Sequence, residues 1–248
     1  MKVSIITVVY NNEQFIADAI ESVLSQSYAD IEYIIIDGAS GDNTLKIIEG
    51  YKDHVAKVVS EKDNGLYDAM NKGIKLATGD VIGILNSDDI YYSNKVIEEV
   101  AGIFRDHANA DAVYGNLVYC EQANIKKVVR RWITKPHYKT FFEDGEIPPH
   151  PGLFVKKKVY DEVGGYNLAF KIAADYEFIL RAFRSNRFKI IFINSFLVRM
   201  RLGGTSNKNI RNIIQGNREV RRAWKINGLR FPAKLMIVRP FKKIAQYL

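Results

Sequence analysis

Apolar runs of strand length alternate along residues 1–117 with segments whose apolar positions recur at helical spacing. VSIITVVY at 3–10 is nearly continuous in its hydrophobicity, the pattern of a strand buried on both faces. Phe15, Ile16, Ala19, Ile20, Val23 and Leu24 then mark one face of a helix, with Asn11 and Asn12 as its expected caps. IEYIIID at 31–37 is a second strand, and Leu45, Ile47, Ile48 and Tyr51 mark a second helix. A third strand over 55–60, a helix over 67–77 and a fourth strand, VIGIL at 81–85, continue the series. A helix over 95–105 and a strand over 112–117 close it. Regular strand–helix alternation predicts an α/β fold with a mostly parallel sheet flanked by helices.

Past residue 117 the alternation stops. Residues 118–134 read as β-rich, and 138–146 as an aromatic-acidic loop that either packs in the core or walls an acceptor site. In IPPHPGLFV at 147–155 three prolines fix an extended backbone around His150, a metal or acceptor contact or else a hydrogen-bonded core histidine. Phe178, Ile179 and Ala182 form a helical face that leaves Asp175 at the helix start, as an N-cap or as a carboxylate at the positive end of the dipole.

The chemistry gathers where the strands end. Thr7 and Tyr10, then Asp37 and Ser40, then Asp63 and Asn64, then Asn86, Asp88 and Asp89 follow the four strands in turn. In an open α/β sheet, ligands bind beyond the carboxyl ends of the strands. Asp88 and Asp89 there suit Mg²⁺ or Mn²⁺, which take hard oxygen ligands; the alternative is a solvated turn that caps the next helix. A dinucleotide fold would show G-x-G-x-x-G after the first strand, and a P-loop G-x-x-x-x-G-K-[ST]; neither is present.

Charge changes the picture only at the C-terminus. Of the net +8, residues 207–248 carry +10 from eleven Lys and Arg against Glu219 alone, leaving −2 elsewhere. Two helical stretches there, 207–224 and 231–248, interleave apolar and basic residues, the pattern of an interfacial helix on anionic lipid. The same pattern also serves a helix that closes the core or a homodimer. No nucleic-acid reading motif accompanies the basic residues. A lone cysteine, Cys120, excludes an internal disulfide and fits a reducing compartment. The first apolar run is too short for a signal peptide, and no run reaches membrane-spanning length. The expected place is therefore cytoplasmic, peripheral on the inner face of the cytoplasmic membrane.

The motifs VSIITVVYNN, IIIDGASGDNT, SEKDNGLYDAMNKGIKLATGD, NSDD, IAADYEFILR and RMRLGGTSN, in this order, resemble the family 2 glycosyltransferases of GT-A fold over residues 1–206. The resemblance implies a nucleotide-sugar half at 1–117, an acceptor and catalytic half at 118–206 and a basic helical tail at 207–248. It implies that Thr7 and Tyr10 flank the base, that Asp37, Asp63, Asp68, Asn71, Lys72 and Asn86 serve the nucleotide sugar, and that Asp88 lies near ribose or sugar. Asp89, with Asp88 and His150 as further ligands, would hold Mn²⁺ or Mg²⁺. Asp175 would be the general base, and Arg201, Gly204 and Ser206 an acceptor-side lid. Two departures stand out: Gly38 replaces an acid that reads uracil, and Met70 replaces an Arg. The implied reaction is inverting transfer from a nucleotide sugar, a UDP-sugar foremost, to a glycan or lipid-linked glycan in bacterial surface-polysaccharide synthesis. The alternatives are a non-catalytic glycan-binding or scaffold protein of the same fold and a sugar-1-phosphate nucleotidylyltransferase.

Overall fold

The computed structural model describes residues 1–203 and 210–245 and is built on a nine-stranded sheet. β1 (Val3–Val9), β2 (Ile31–Asp37), β3 (Lys57–Ser60) and β4 (Val81–Asn86) run parallel in the order β3-β2-β1-β4. The crossovers between them are α1 (Ile16–Leu24), α2 (Thr44–Glu49) and α3 (Leu66–Leu76). After β4 come the short β5 (Ile90–Tyr91), α4 (Val96–Asp106), β6 (Ala112–Cys120) and β7 (Val128–Trp132). The remaining elements are β8 (Leu153–Lys156), α5 (Lys157–Val163), α6 (Ala174–Phe183), β9 (Ile190–Arg201), α7 (Ile210–Ile226) and α8 (Leu235–Ala245).

The parallel order holds as far as β4 and then becomes mixed. β8 inserts antiparallel between β4 and β6, β9 lies parallel to β6, and β5 and β7 pair antiparallel with β9 and β6. Hydrophobic pattern alone does not distinguish these cases, because β6 and most of β8 are buried on both faces.

Alternate residues of each strand feed two cores. Ile6, Val8, Ile34, Ile36, Ile82 and Ile84 meet α3, α5 and α6 on one face. Val3, Ile5, Val9, Ile35, Val81 and Leu85 meet α1, α2 and α4 on the other. Residues 207–248, expected as an appended tail, send Val220, Ala223 and Trp224 of α7 and Leu235 of α8 into the first core. Burial of Trp224 alone removes a side chain of roughly 200 Å² from water, so α7 is integral to that core. Among the described residues no helix is long and apolar enough to cross a membrane.

Asn11 and Asn12 do not cap α1. The helix begins at Ile16 with Phe15 at the capping position and no side-chain cap, and Asn11 takes a positive φ of 47°. The intervening residues form a loop in which Asn12 bonds Ser87 and Glu13 accepts from Asn43.

Candidate active site

Parallel register brings four strand ends level. Val9 pairs with Asp37, Asp37 with Ser60, and Val8 with Asn86, so the chain leaves all four strands along one edge. Tyr10, the first residue past β1, is 64% exposed there. Thr7 is not at this edge: it is fully buried within β1 and its hydroxyl accepts from Tyr33 at 3.0 Å. The expected pair flanking a base therefore reduces to Tyr10.

Asp37 ends β2 fully buried and accepts from the Ser40 backbone at 3.0 Å, the Ser40 hydroxyl and the Ser60 hydroxyl. Its carboxylate is spent on shaping the 38–44 loop, so Asp37 supports the edge from below. Asn11 and Asn12 complete the loop contacts: Asn11 Oδ1 accepts from Gly41 at 2.8 Å, and Asn12 Nδ2 donates to Ser87 Oγ at 2.8 Å.

Gly38 has a geometric reason to be glycine. A Cβ there would stand 2.5 Å from Asp63 Oδ2 and 3.3 Å from the Tyr10 ring. The Asp63 carboxylate thus occupies the space beside Tyr10 that a side chain at 38 would fill. Its Oδ1 accepts from Gly65 at 2.8 Å, which orients it. Asp68, Asn71 and Lys72, expected at the nucleotide sugar, are engaged with protein instead. Asp68 accepts from the Asn64 backbone at 2.9 Å, and Lys72 binds Glu61 and the Lys62 carbonyl, each at 2.8 Å. Asn71 clamps the Tyr166 backbone in both directions at 2.8 Å, joining α3 to the loop before α6.

At the end of β4 the two acids differ. Asp89 is fully buried, and its oxygens accept from Asn86 Nδ2 at 3.0 Å and the Arg201 backbone at 3.2 Å. Asp88 is partly exposed and has no side-chain partner among the described residues. Burial pushes the Asp89 carboxyl well up from its ordinary value, with the Asp88 charge adding to it. Burial also raises Asp88, opposed by Arg201. Asn86 Oδ1 is buried without a hydrogen-bond partner. An open carboxylate and an unsatisfied amide oxygen, in a pocket that disfavours bare negative charge, fit a divalent cation with hard-oxygen preference. Asp89, expected as the leading ligand, already accepts one protein hydrogen bond on each oxygen, and Asp88 is the more open of the two acids. His150 does not join them. It is partly buried with Nε2 2.7 Å from the Tyr166 hydroxyl, and burial lowers its pKa. Among the described residues no three His, Cys, Asp or Glu side chains gather to hold a metal ion.

Arg201 is a strut and not a lid. It is 4% exposed at the end of β9, pairs with Asp18, donates to the Gln122 carbonyl at 3.0 Å and stacks on Phe15. Arg199 stacks on Tyr92. Gly204 and Ser206 lie outside the described residues.

Asp175 sits in the first turn of α6, with Ala173 and not Asp175 at the capping position. Its carboxylate is partly exposed and accepts from the Tyr67 hydroxyl of α3 at 3.2 Å. Tyr67 also donates to the Ile172 carbonyl at 2.9 Å, so α3 fixes the start of α6. Sequence reasoning missed Tyr67 and Ser87; the YDAMN motif and the NSDD turn contained them, but only packing reveals their partners.

The model of "Glycosyl transferase family 2" matches residues 4–163. An uncharacterized glycosyltransferase of Mycobacterium tuberculosis is 33% identical over 73% of this chain and 68% of its own. A PGL/p-HBAD biosynthesis glycosyltransferase of Mycobacterium bovis is 28% identical over 82% and 78%. Among solved structures, residues 1–349 of S. aureus TarS with UDP-GlcNAc superpose with TM-score 0.74 at 16% identity, covering 96% of this chain and 72% of that one. The mannosyltransferase PcManGT of Pyrobaculum calidifontis with GDP-Man and Mn²⁺ gives 0.69 at 17% identity over 98% and 73%.

Proposed function

The chain belongs to glycosyl transferase family 2 and is a glycosyltransferase, and we propose that it moves a sugar with inversion from a nucleotide-sugar donor to an acceptor hydroxyl. Two observations carry this reading: the open Asp88 carboxylate at the β4 end, and Asp175 held at the α6 start by Tyr67 of α3. The TarS complex with UDP-GlcNAc and the PcManGT complex with GDP-Man and Mn²⁺ support a nucleotide-sugar donor and a divalent ion.

In this reading the base stacks on exposed Tyr10. Asp63 Oδ2 accepts from the ring N–H of uracil, thymine or guanine, a donor that cytosine and adenine lack at that position. A UDP-sugar satisfies this, and Asp63 supplies the carboxylate that Gly38 does not. Asp88 and Asn86 would hold Mn²⁺ or Mg²⁺, which when bound would offset the charge developing on the departing diphosphate. The acceptor hydroxyl approaches the anomeric carbon opposite the leaving group. Asp175 takes its proton as the new C–O bond forms and the bond to the diphosphate breaks. A single displacement inverts the anomeric centre.

The acceptor proposed is a lipid-linked glycan of a bacterial surface polysaccharide, met on an anionic membrane face inside the cell. Support comes from the outer side of the C-terminal helices. Met236, Ile237 and Phe241 of α8 are exposed, and Arg218, Arg221 and Lys225 of α7 line a ≈ 520 Å³ cleft with Leu229 and Phe231. The cations of α8 and the Lys234 before it are less available than their sequence suggests, since Lys234 and Lys242 pair with Asp144 and Glu146, and Arg239 lies over Tyr176.

Two experiments test the proposal. Proton NMR of the product should give an anomeric coupling opposite to the donor's; retention would reject single displacement. Full-length protein should sediment with phosphatidylglycerol vesicles and lose this with Met236, Ile237 and Phe241 changed to Ser; unchanged sedimentation would remove α8 from the membrane reading.

A further inference from the structure

Glu219 is the single acid of the basic C-terminal stretch, and it is turned inward, 7% exposed. Its Oε2 accepts from the backbone N–H of Ile172 at 2.8 Å and of Ala173 at 2.9 Å. Its Oε1 accepts from Lys171 N at 3.1 Å and Gln215 Nε2 at 2.9 Å. Four donors therefore converge on one buried carboxylate, and three are consecutive backbone groups that lead into α6. Burial opposes the charge, yet these hydrogen bonds outweigh it and hold the Glu219 carboxyl below its ordinary value. The carboxylate is therefore kept ionised in the folded protein.

The rest of α7 presses on the same turn. A Cβ at Gly216 would stand 3.2 Å from Ile172 Cγ2, so the helix meets the turn at a residue without a side chain. Trp224 Nε1 donates to the Tyr176 hydroxyl at 2.8 Å, one residue past Asp175. From the opposite side Tyr67 of α3 donates to the Ile172 carbonyl and to Asp175. Residues 171–176 are thus gripped between a donor-side helix and a C-terminal helix.

We propose that Glu219 is a positioning residue for transfer: by fixing three consecutive backbone N–H groups it sets where Asp175 stands relative to the acceptor hydroxyl. This rests on Asp175 being the general base. A carboxylate suits the task because it only accepts; an amide in its place would turn an NH₂ group toward two of the four donors. The backbone would shift to relieve that contact, and Asp175 with it. Misplacement by about 1 Å costs on the order of a hundredfold in a positioned reaction. The donor subsite at Tyr10, Asp63 and Asp88 lies on other elements and stays in place.

The test is a double-mutant cycle on the full-length protein with Glu219→Gln and Asp175→Asn, reading kcat, donor KM and melting temperature. Glu219→Gln is expected to lower kcat by roughly ten- to a hundredfold with donor KM within about twofold. In the Asp175→Asn background the same change should cost almost nothing further, because there is no base left to place. Equal losses in both backgrounds, or a donor KM that rises in step, would overturn the proposal and leave Glu219 a stabilising residue only. Should Glu219→Gln fail to fold, Gly216→Ala displaces Ile172 by a few tenths of an ångström and must show the same kcat-only signature. Full activity of Asp175→Asn would reject the base assignment instead, a result separable from either outcome for Glu219.

Discussion

The two halves of the sheet place their chemistry by different means. In the parallel half, β3-β2-β1-β4, register alone carries Tyr10, Gly38, Asp63 and Asp88 to one edge, each within a few residues of a strand end. In the mixed half, Asp175 ends up where it is through contacts spanning the chain: Tyr67 lies 108 residues before it, and Glu219 binds the turn ahead of it from α7. Topology positions the first site and packing positions the second. A change at the edge should therefore act locally, whereas a change near α6 should be felt from three elements.

The sharpest way to test that contrast is to remove each half's acid. Asp175→Asn should lower kcat by about 10²- to 10⁴-fold, the usual worth of a general base, while donor KM stays near wild type. Steady-state kinetics on both substrates checks this. Asp88→Ala should cost on the order of a hundredfold or more, with the melting temperature unchanged, because its carboxylate has no side-chain partner to lose. Its neighbour should behave differently. Asp89→Ala leaves the Asn86 amide and the Arg201 N–H without their acceptor and should destabilise by about 1–3 kcal/mol by urea unfolding. Equal stability effects for the two acids would break the distinction between ligand and strut.

Stability against pH probes the parallel half alone. Glu32 is buried in β2; burial would raise its carboxyl, but hydrogen bonds from Ser4 and Thr78, with Lys2 nearby, outweigh this and hold it at about 2. A lowered folded-state value stabilises the protein above the ordinary 4.5 and loses that contribution as pH falls toward 2. The contribution is about 3 kcal/mol. Glu32→Gln should flatten the unfolding free energy between these limits and leave its slope from pH 5 to 8 unaltered. The smallest effect is expected at Gly38→Ala, which crowds Asp63 against Tyr10. Donor KM should rise several-fold, a change of about 1 kcal/mol, with kcat nearly constant.

The same contrast explains what could be read from the chain beforehand. The strands to β4, their parallel run and the edge location of Tyr10, Asp63 and Asp88 were legible because each depends on local pattern and a general rule of open sheets. The roles of Asp37, Asn71 and Lys72 were not, since a polar residue near a strand end looks alike whether it faces ligand or braces a loop. Thr7 was misplaced because a strand interior hides one hydroxyl without breaking its apolar run, and Tyr33 satisfies it from the next strand. Antiparallel β8 could not be foreseen from a four-residue segment. Glu219 looked like a stray acid in a basic helix, and only the approach of α7 to the turn at 171–173 gives it a partner.

Sugar transfer is proposed to draw on a nucleotide donor held at the Tyr10–Asp63–Asp88 edge. Its most direct test is release of nucleoside diphosphate from UDP-, GDP-, dTDP- and CDP-sugars with Mn²⁺, for the wild type and Asp88→Ala. Turnover of a donor whose base carries a ring N–H, absent with CDP-sugars and lost in Asp88→Ala, is the predicted result. Turnover of a CDP-sugar alone, or a rate that Asp88→Ala leaves unchanged, would contradict the account.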